Sequence, residues 1–268
     1  MQLCNVNHTL ASLRSFRKAR AVPTSSSLPE PKPLADLLAE RKTALFLDFD
    51  GTLVALADTP DSIRVPEDLP ERLAALGRRL EGRLALVTGR AIVDLEGHIG
   101  DVGLFRAGSH GADVRDASGM ALGDEAKSLS DYVVQQVEAF AREHGLRYEA
   151  KSHGAALHSR GRPELSERAA AFLDELAQGE GLAVSRGKAV AEILHAGADK
   201  GTAVDVILQS EPFAEARPIF IGDDVTDEDG FVAARAAGGI AIAVGDRKAI
   251  HADYGLADVA AVHHWLDL

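Results

Sequence analysis

Leu45-Phe46-Leu47-Asp48-Phe49-Asp50-Gly51-Thr52-Leu53 is an apolar run that ends in two carboxylates one residue apart. Bulky apolar residues followed at once by Asp-x-Asp-Gly-Thr read as a buried parallel strand whose carboxyl end opens into a crevice, where open α/β sheets place ligands. Alternation with a period of two puts Asp48 and Asp50 on one side and turns Phe49 into the core. Like charges this close repel unless a cation lies between them. Hard oxygens with room left for water and phosphate suit Mg²⁺. Gly51 lets the backbone turn tightly at the strand end. The alternatives are a solvated turn or a calcium loop. An EF-hand loop needs oxygens at alternating positions and a Glu at the twelfth, whereas Thr-Leu-Val-Ala-Leu follows Gly51. The stretch favours a phosphoryl-transfer site, whose other parts must come from elsewhere in the chain.

The 268 residues, 46% of them hydrophobic, suffice for a full core in one large domain or two smaller ones. A net charge of −12 and a pI near 5.3 argue against nucleic acid or an anionic membrane as partner, so an anionic substrate must meet locally gathered Lys and Arg. The single cysteine, Cys4, offers neither an internal disulfide nor a thiolate metal site, which fits a reducing cytoplasm. No run approaches the roughly 18 apolar residues of a membrane helix, so a soluble cytoplasmic monomer is expected. Residues 1–33 are basic, contain Ser and Pro, and lack an apolar signal region. They read as a disordered extension closed by the stiff Pro29-Glu30-Pro31-Lys32-Pro33. A mitochondrial-type presequence is the alternative, since Leu10, Leu13, Arg14, Arg17 and Lys18 can share one amphipathic helix.

From Leu34 the periodicity predicts a helix to Arg41, a strand over Ala44 to Phe49, a helix over Leu69 to Leu80, a strand over Leu84 to Thr88, a helix over Ala91 to Glu96 and a strand over Leu104 to Ala107. The same grammar resumes with a helix from Lys200 to Gln209, a strand from Pro218 to Gly222, a helix from Thr226 to Ala236 and a strand from Ile240 to Val244. Such alternation implies right-handed crossovers and a doubly wound parallel sheet with helices on both faces. Between them, strands over Ala112 to Arg115, Leu146 to Ala150, Ala155 to His158, Leu182 to Ser185 and Ala189 to Leu194 are joined by short polar turns or by helices over Ser128 to Glu143 and Pro163 to Leu176. That pattern predicts an inserted antiparallel α+β cap over 112–195, within an α/β core of 34–111 and 196–268.

Further chemistry lies at other strand ends. Val87-Thr88-Gly89-Arg90 repeats the placement of a hydroxyl where a strand meets a helix, a cradle for a phosphoryl oxygen or simply an N-cap. Lys200 opens a helix, where a cation is disfavoured by the dipole, yet there it can reach the sheet edge and balance a carboxylate and a phosphoryl group. Gly222-Asp223-Asp224-Val225-Thr226-Asp227-Glu228-Asp229 is the densest acidic cluster. It can complete a metal site, with Asp227 or Glu228 free to cap the next helix instead.

Asp48-x-Asp50-Gly51-Thr52, Thr88-Gly89-Arg90, Lys200 and Gly222-Asp223-Asp224 resemble, in order, the four motifs of the haloacid dehalogenase superfamily of phosphatases. The late Gly-Asp-Asp-Val-Thr-Asp-Glu-Asp is similar to the trehalose-6-phosphate phosphatase family within it. Gly108-Ser109-His110-Gly111-Ala112, Glu149-x-Lys151, His158-Ser159-Arg160, Gly187-Lys188 and Glu192 extend the resemblance over about Lys42 to Val244. Two departures stand out: Ser109 where an apolar or aromatic residue is common, and Gly230 for a usual Ala.

The resemblance implies a haloacid dehalogenase-like fold and Mg²⁺-dependent hydrolysis of trehalose 6-phosphate. Asp48 would be the nucleophile and Asp50 the acid and base, with Thr88 and Lys200 on the phosphoryl oxygens. Metal would be held by the Asp48 carboxylate, the Asp50 carbonyl and Asp223, with Asp224 and Asp227 on water ligands or orienting the site. Arg90, His110, Glu149, Lys151, His158, Arg160, Lys188 and Glu192 would bind substrate. Taken as residues alone, the Glu and Lys positions fit either a clamp for sugar hydroxyls or an ordinary surface salt-bridge ladder. Another sugar phosphatase, for sucrose- or mannosylglycerate-type phosphates, is the near alternative. A phospho-accepting receiver domain is the distant one, disfavoured because a receiver has no acid two residues after its phosphorylated Asp.

Overall fold

The computed structural model describes residues 28–57, 62–123, 127–151, 153–178, 181–187 and 189–268. The first half of the core is α1 (Leu34–Glu40), β1 (Thr43–Leu47), α2 (Leu69–Arg79), β2 (Leu84–Val87), α3 (Ile92–Ile99), β3 (Phe105–Gly108) and β4 (Asp113–Arg115). The insert comprises α4 (Asp131–His144), β5 (Arg147–Lys151), β6 (Gly154–His158), α5 (Ser166–Ala177), β7 (Leu182–Gly187) and β8 (Val190–His195). The core is completed by α6 (Lys200–Leu208), β9 (Arg217–Gly222), α7 (Asp227–Ala236), β10 (Ile240–Val244), β11 (Tyr254–Leu256) and α8 (Val259–Leu266). Residues 1–27, which hold most of the expected N-terminal extension, lie outside the described residues.

The core sheet runs β11-β10-β9-β1-β2-β3-β4, parallel but for β4. Every residue of β1 is buried, because its alternate side chains serve two cores. Leu45 and Leu47 pack with α1, α2, α3 and α8, while Ala44 and Phe46 pack with α6 and α7 on the other face. Leu47 lies opposite Leu86 of β2 and Ile221 of β9, so the residues after all three strands converge at one edge.

The second sheet, β5-β6-β8-β7, is antiparallel. Its apolar face, with Ala155, Leu157, Ala191 and Ile193, is covered by Val133, Val137 and Ala141 of α4 and Ala169 and Leu173 of α5. Strand register places Glu149, Ala156 and Glu192 in one row. Period-two alternation therefore turns Glu149, Lys151, His158 and Glu192 together to the uncovered face.

Two differences from expectation appear. The strand at Ala112 to Arg115 does not open the cap: as β4 it pairs with β3 at the edge of the core sheet, Val114 opposite Ala107. Ser109 and His110, at φ 48° and 56°, and Gly111 at 102° reverse the chain there, a turn that alternation of apolar residues does not reveal. The four-stranded sheet therefore begins only after α4. Finally, β11 and α8 had no counterpart in the sequence reading, since three residues carry too little periodicity and α8 interrupts its apolar face with His263-His264.

Candidate active site

Asp48 follows the last residue of β1, its N–H donating to the Ile221 carbonyl at 2.9 Å. Lys200, first residue of α6, donates from Nζ to Asp48 Oδ1 and to Asp227 Oδ1, each at 2.6 Å. All three are buried. Burial would lower the Lys200 pKa, but Asp227 and Asp48 outweigh it and hold the ammonium charged. Burial pushes the Asp48 carboxyl up, and Asp227 and Asp223 push it further against the pull of Lys200. Burial, together with Asp227 and Asp224, carries Asp223 up to about 7.

Gly51 makes this arrangement possible twice over. Its φ of +85° suits glycine, and a Cβ there would stand 2.2 Å from Asp223 Oδ2, so only a missing side chain lets the two loops meet.

Asp50 turns away from that cluster. Arg90 grips it in a fork, Nε to Oδ2 at 2.6 Å and the second terminal nitrogen to Oδ1 at 2.8 Å. The remaining corner of the guanidinium meets Asp94 Oδ2 at 2.6 Å and His98 Nε2 at 3.2 Å, and the group lies 6.0 Å from the centre of the Phe49 ring. Arg90, expected on substrate, thus also fixes the position of Asp50. Thr88 is buried, and its hydroxyl accepts from the Arg90 N–H at 3.1 Å. It shapes the turn before α3 and is not the N-cap, which is Ala91.

Above these loops the polar face of the second sheet closes a cavity of about 990 Å³, lined by Asp48, Asp50, Thr88, Arg90, Lys200 and Asp223 below and by Glu149, Lys151, His158 and Glu192 above. Its walls gather Arg147, Arg160, Arg162, Arg186 and Arg247, guanidinium groups brought together in an acidic protein. Glu149 Oε2 meets His158 Nε2 at 2.6 Å. Burial would raise the Glu149 pKa, but His158 and Lys151 hold it below the usual range. Lys151 donates to Glu192 Oε2 at 2.5 Å and across the interface to the Gly89 carbonyl at 2.9 Å, while His110 Nε2 lies 3.2 Å from the same Glu192 oxygen. Burial would raise Glu192 too, yet Lys151 and His110 bring it down to about 2. Arg160 donates to the Ala57 carbonyl of the core at 2.7 Å, joining the layers at the cavity wall. Lys188 lies outside the described residues.

A family model described as trehalose-phosphatase matches residues 46–260. Trehalose-6-phosphate phosphatase of Escherichia coli (strain K12) is 34% identical over 232 residues, 85% of this chain and 86% of that protein. A Sinorhizobium fredii relative described as a probable trehalose-phosphate phosphatase is 39% identical over 75% of this chain and 77% of its own length. The chain belongs to the trehalose-phosphatase family. Its fold is shared with the C-terminal domain of C. albicans trehalose-6-phosphate phosphatase, at TM-score 0.74 and 22% identity over 91% of this chain and all of that one. A haloacid dehalogenase-like hydrolase from B. subtilis also shares it, at TM-score 0.61 and 16% identity over 84% of this chain and 99% of that one. Family membership sets the receiver-domain alternative aside.

Asp48, Asp223 and Asp227 bring a carboxylate oxygen each within 4.8 Å of one another. Three carboxylates against the one ammonium of Lys200 leave two negative charges, the charge of one divalent cation. Asp223 Oδ1 is buried without a hydrogen-bond partner, and every donor is a hard oxygen, so this family member's residues fit Mg²⁺. Of the other two expected metal residues, Asp224 Oδ1 accepts from the Val225 N–H at 2.8 Å, and the Asp50 carboxylate is taken by Arg90, which leaves the expected Asp50 carbonyl as its metal-facing group. Asp227 does not cap α7; besides Lys200, its carboxylate accepts from the Asp224 N–H at 2.8 Å.

Sequence reasoning missed Asp94, His98, Arg247 and Glu228 as organisers. Arg247 donates to the Asp223 and Asp224 carbonyls at 3.0 and 2.9 Å, and Glu228 pairs with it at 2.9 Å while accepting from the N–H groups of Ile250 and His251. The spacing of Arg90, Asp94 and His98 by four residues was the available signal, one stripe running into a helix. Nothing local marked Arg247.

Proposed function

We propose that this chain is a phosphoric monoester hydrolase that cleaves trehalose 6-phosphate to trehalose and phosphate, acting as a cytoplasmic monomer. The observation that carries the reading is the buried Asp48, paired with Lys200 at the floor of an arginine-walled cavity whose roof is a row of sugar-suited polar side chains. An Asp48 oxygen attacks phosphorus and the bond to the sugar oxygen breaks, Asp50 giving that oxygen its proton. Asp50 then takes a proton from water as the water oxygen attacks phosphorus, which frees phosphate and returns Asp48 to a carboxylate. Lys200 holds charge against the phosphoryl oxygens, helped by Thr88 and the N–H groups at the start of α3. Bound Mg²⁺ would supply charge neutralisation, held by Asp48, Asp223 and the Asp50 carbonyl, with Asp227 orienting the set.

Glu149, His158, Lys151, Glu192 and His110 are the groups for the disaccharide, and residues beyond β4 up to β8 form the recognition cap. Paired with one another in this structure, they present both donors and acceptors, which a ligand made of hydroxyls requires. The test is phosphate release by purified protein with Mg²⁺ from trehalose 6-phosphate, glucose 6-phosphate, sucrose 6-phosphate and an aryl phosphate. Preference for trehalose 6-phosphate is expected; a preference for another sugar phosphate overturns the assignment.

A further inference from the structure

The Asp50 carboxylate can serve the reaction only from a fixed position, and it is fixed by one group. Arg90 holds both of its oxygens through Nε and one terminal nitrogen, leaving the other terminal nitrogen at the remaining corner of the planar group. That nitrogen is fastened by the next two turns of the chain. Asp94 accepts from it at 2.6 Å and His98 Nε2 at 3.2 Å, which puts the His98 proton on Nδ1. A planar ion tied at three corners cannot rotate, whereas one tied along a single edge can pivot about it. Arg90 itself is buried and keeps these partners, while Asp94 is partly exposed at the rim of the same cavity, where its Oδ2 is tied to the guanidinium.

We propose that Asp94, backed by His98, is a positioning residue for the phosphatase reaction: α3 sets the guanidinium of Arg90, and through it the line along which Asp50 meets the leaving oxygen. The inference rests on the phosphatase reading above. Its signature is dependence on the leaving group. A sugar alkoxide needs the proton of Asp50, so a small misalignment costs rate, while a p-nitrophenolate leaves with little help.

The experiment compares wild type, Asp94→Asn, Asp94→Glu and His98→Gln on trehalose 6-phosphate and p-nitrophenyl phosphate with saturating Mg²⁺. Asp94→Asn should lower kcat on the sugar phosphate by about 10-fold or more with KM changed less than about threefold, and lower kcat on the aryl phosphate less than about threefold. Asp94→Glu, which keeps the charge, and His98→Gln, which keeps an acceptor, should each recover most of the sugar-phosphate rate. In an Asp50→Asn background, adding Asp94→Asn should cost nothing further on the aryl phosphate. Equal losses on both substrates, or an unchanged sugar-phosphate rate, would overturn the positioning role while leaving the phosphatase reading standing. Should Asp94→Asn fail to fold, His98→Ala carries the same comparison, with loss confined to the sugar phosphate expected and equal loss or none overturning. Wild-type protein inactive on both substrates would instead overturn the phosphatase reading, and this inference with it.

Discussion

Lys200 starts a helix whose dipole disfavours it by about 0.3–1 kcal/mol at an exposed site, yet two carboxylates at 2.6 Å decide the matter in its favour. Replacing it with Met would strand Asp48 and Asp227 in the interior. We expect Lys200→Met to lose about 3–5 kcal/mol of stability in urea titrations along with turnover. Asp48→Asn keeps the shape but removes the proposed nucleophile and one of the two charges facing Lys200, so activity should fall below about one part in a hundred with the fold retained by circular dichroism. Glu192 sets a pH dependence. Its folded pKa of about 2 lies below the ordinary 4.5, so it stabilises the protein above about pH 4.5, and this contribution fades as pH falls toward 2. At about 1.4 kcal/mol per unit the full effect is about 3 kcal/mol. Between pH 5 and about 2 the wild type should therefore lose more stability than Glu192→Gln; parallel curves would mean that Lys151 and His110 do not hold it ionised.

At the scale of elements, the motif strands were legible because each is a short apolar run ending in chemistry: β1 into Asp48, β2 into Thr88, β9 into Asp223. What joins them was less so. The pairing of Arg90 with Asp50, and of Arg247 with the backbone of Asp223, depends on turns whose course follows from packing rather than from neighbouring residues. The placement of β4 failed for the same reason, since a strand carries no mark of the sheet it will join. Gly230 shows an unusual residue explained by its neighbour. On α7 an alanine would gain about 1 kcal/mol of helix propensity, but its Cβ would lie 2.4 Å from the buried Phe220 ring on β9. Crowding a packed core costs about 1–3 kcal/mol, so Gly230→Ala should be net destabilising in denaturant titrations. A gain would mean that the ring can move aside.

Across the whole molecule, Asp48, Lys200 and Asp223 sit in one layer and Glu149, Lys151, His158 and Glu192 in the other, and each layer has its own apolar core. Single alanine changes at Glu149 or Lys151 should lower kcat/KM on trehalose 6-phosphate by about 10- to 100-fold and barely touch an aryl phosphate. Equal losses on both would assign these residues to closure of the layers. Metal removal should do the opposite and silence both substrates, with Mg²⁺ restoring activity and raising the thermal midpoint as it offsets the unpaired charge around Asp223. A chelator-resistant enzyme would refute that.

The position of β1 between β2 and β9 has a consequence for how the protein is made. One neighbour of β1 leaves the ribosome soon after it, but the other, with the acidic loop it carries, emerges only after both helices and all four strands of the insert. The insert has local antiparallel pairings and can close early, whereas the first half of the core must wait with an open β1 edge and with Asp48 beside no lysine. The buried charge cluster is thus completed late in translation, when Lys200 and then β9 reach a strand formed near the start, and a nascent chain cut short of β9 carries the polar face of the second sheet without the acidic loop beneath it.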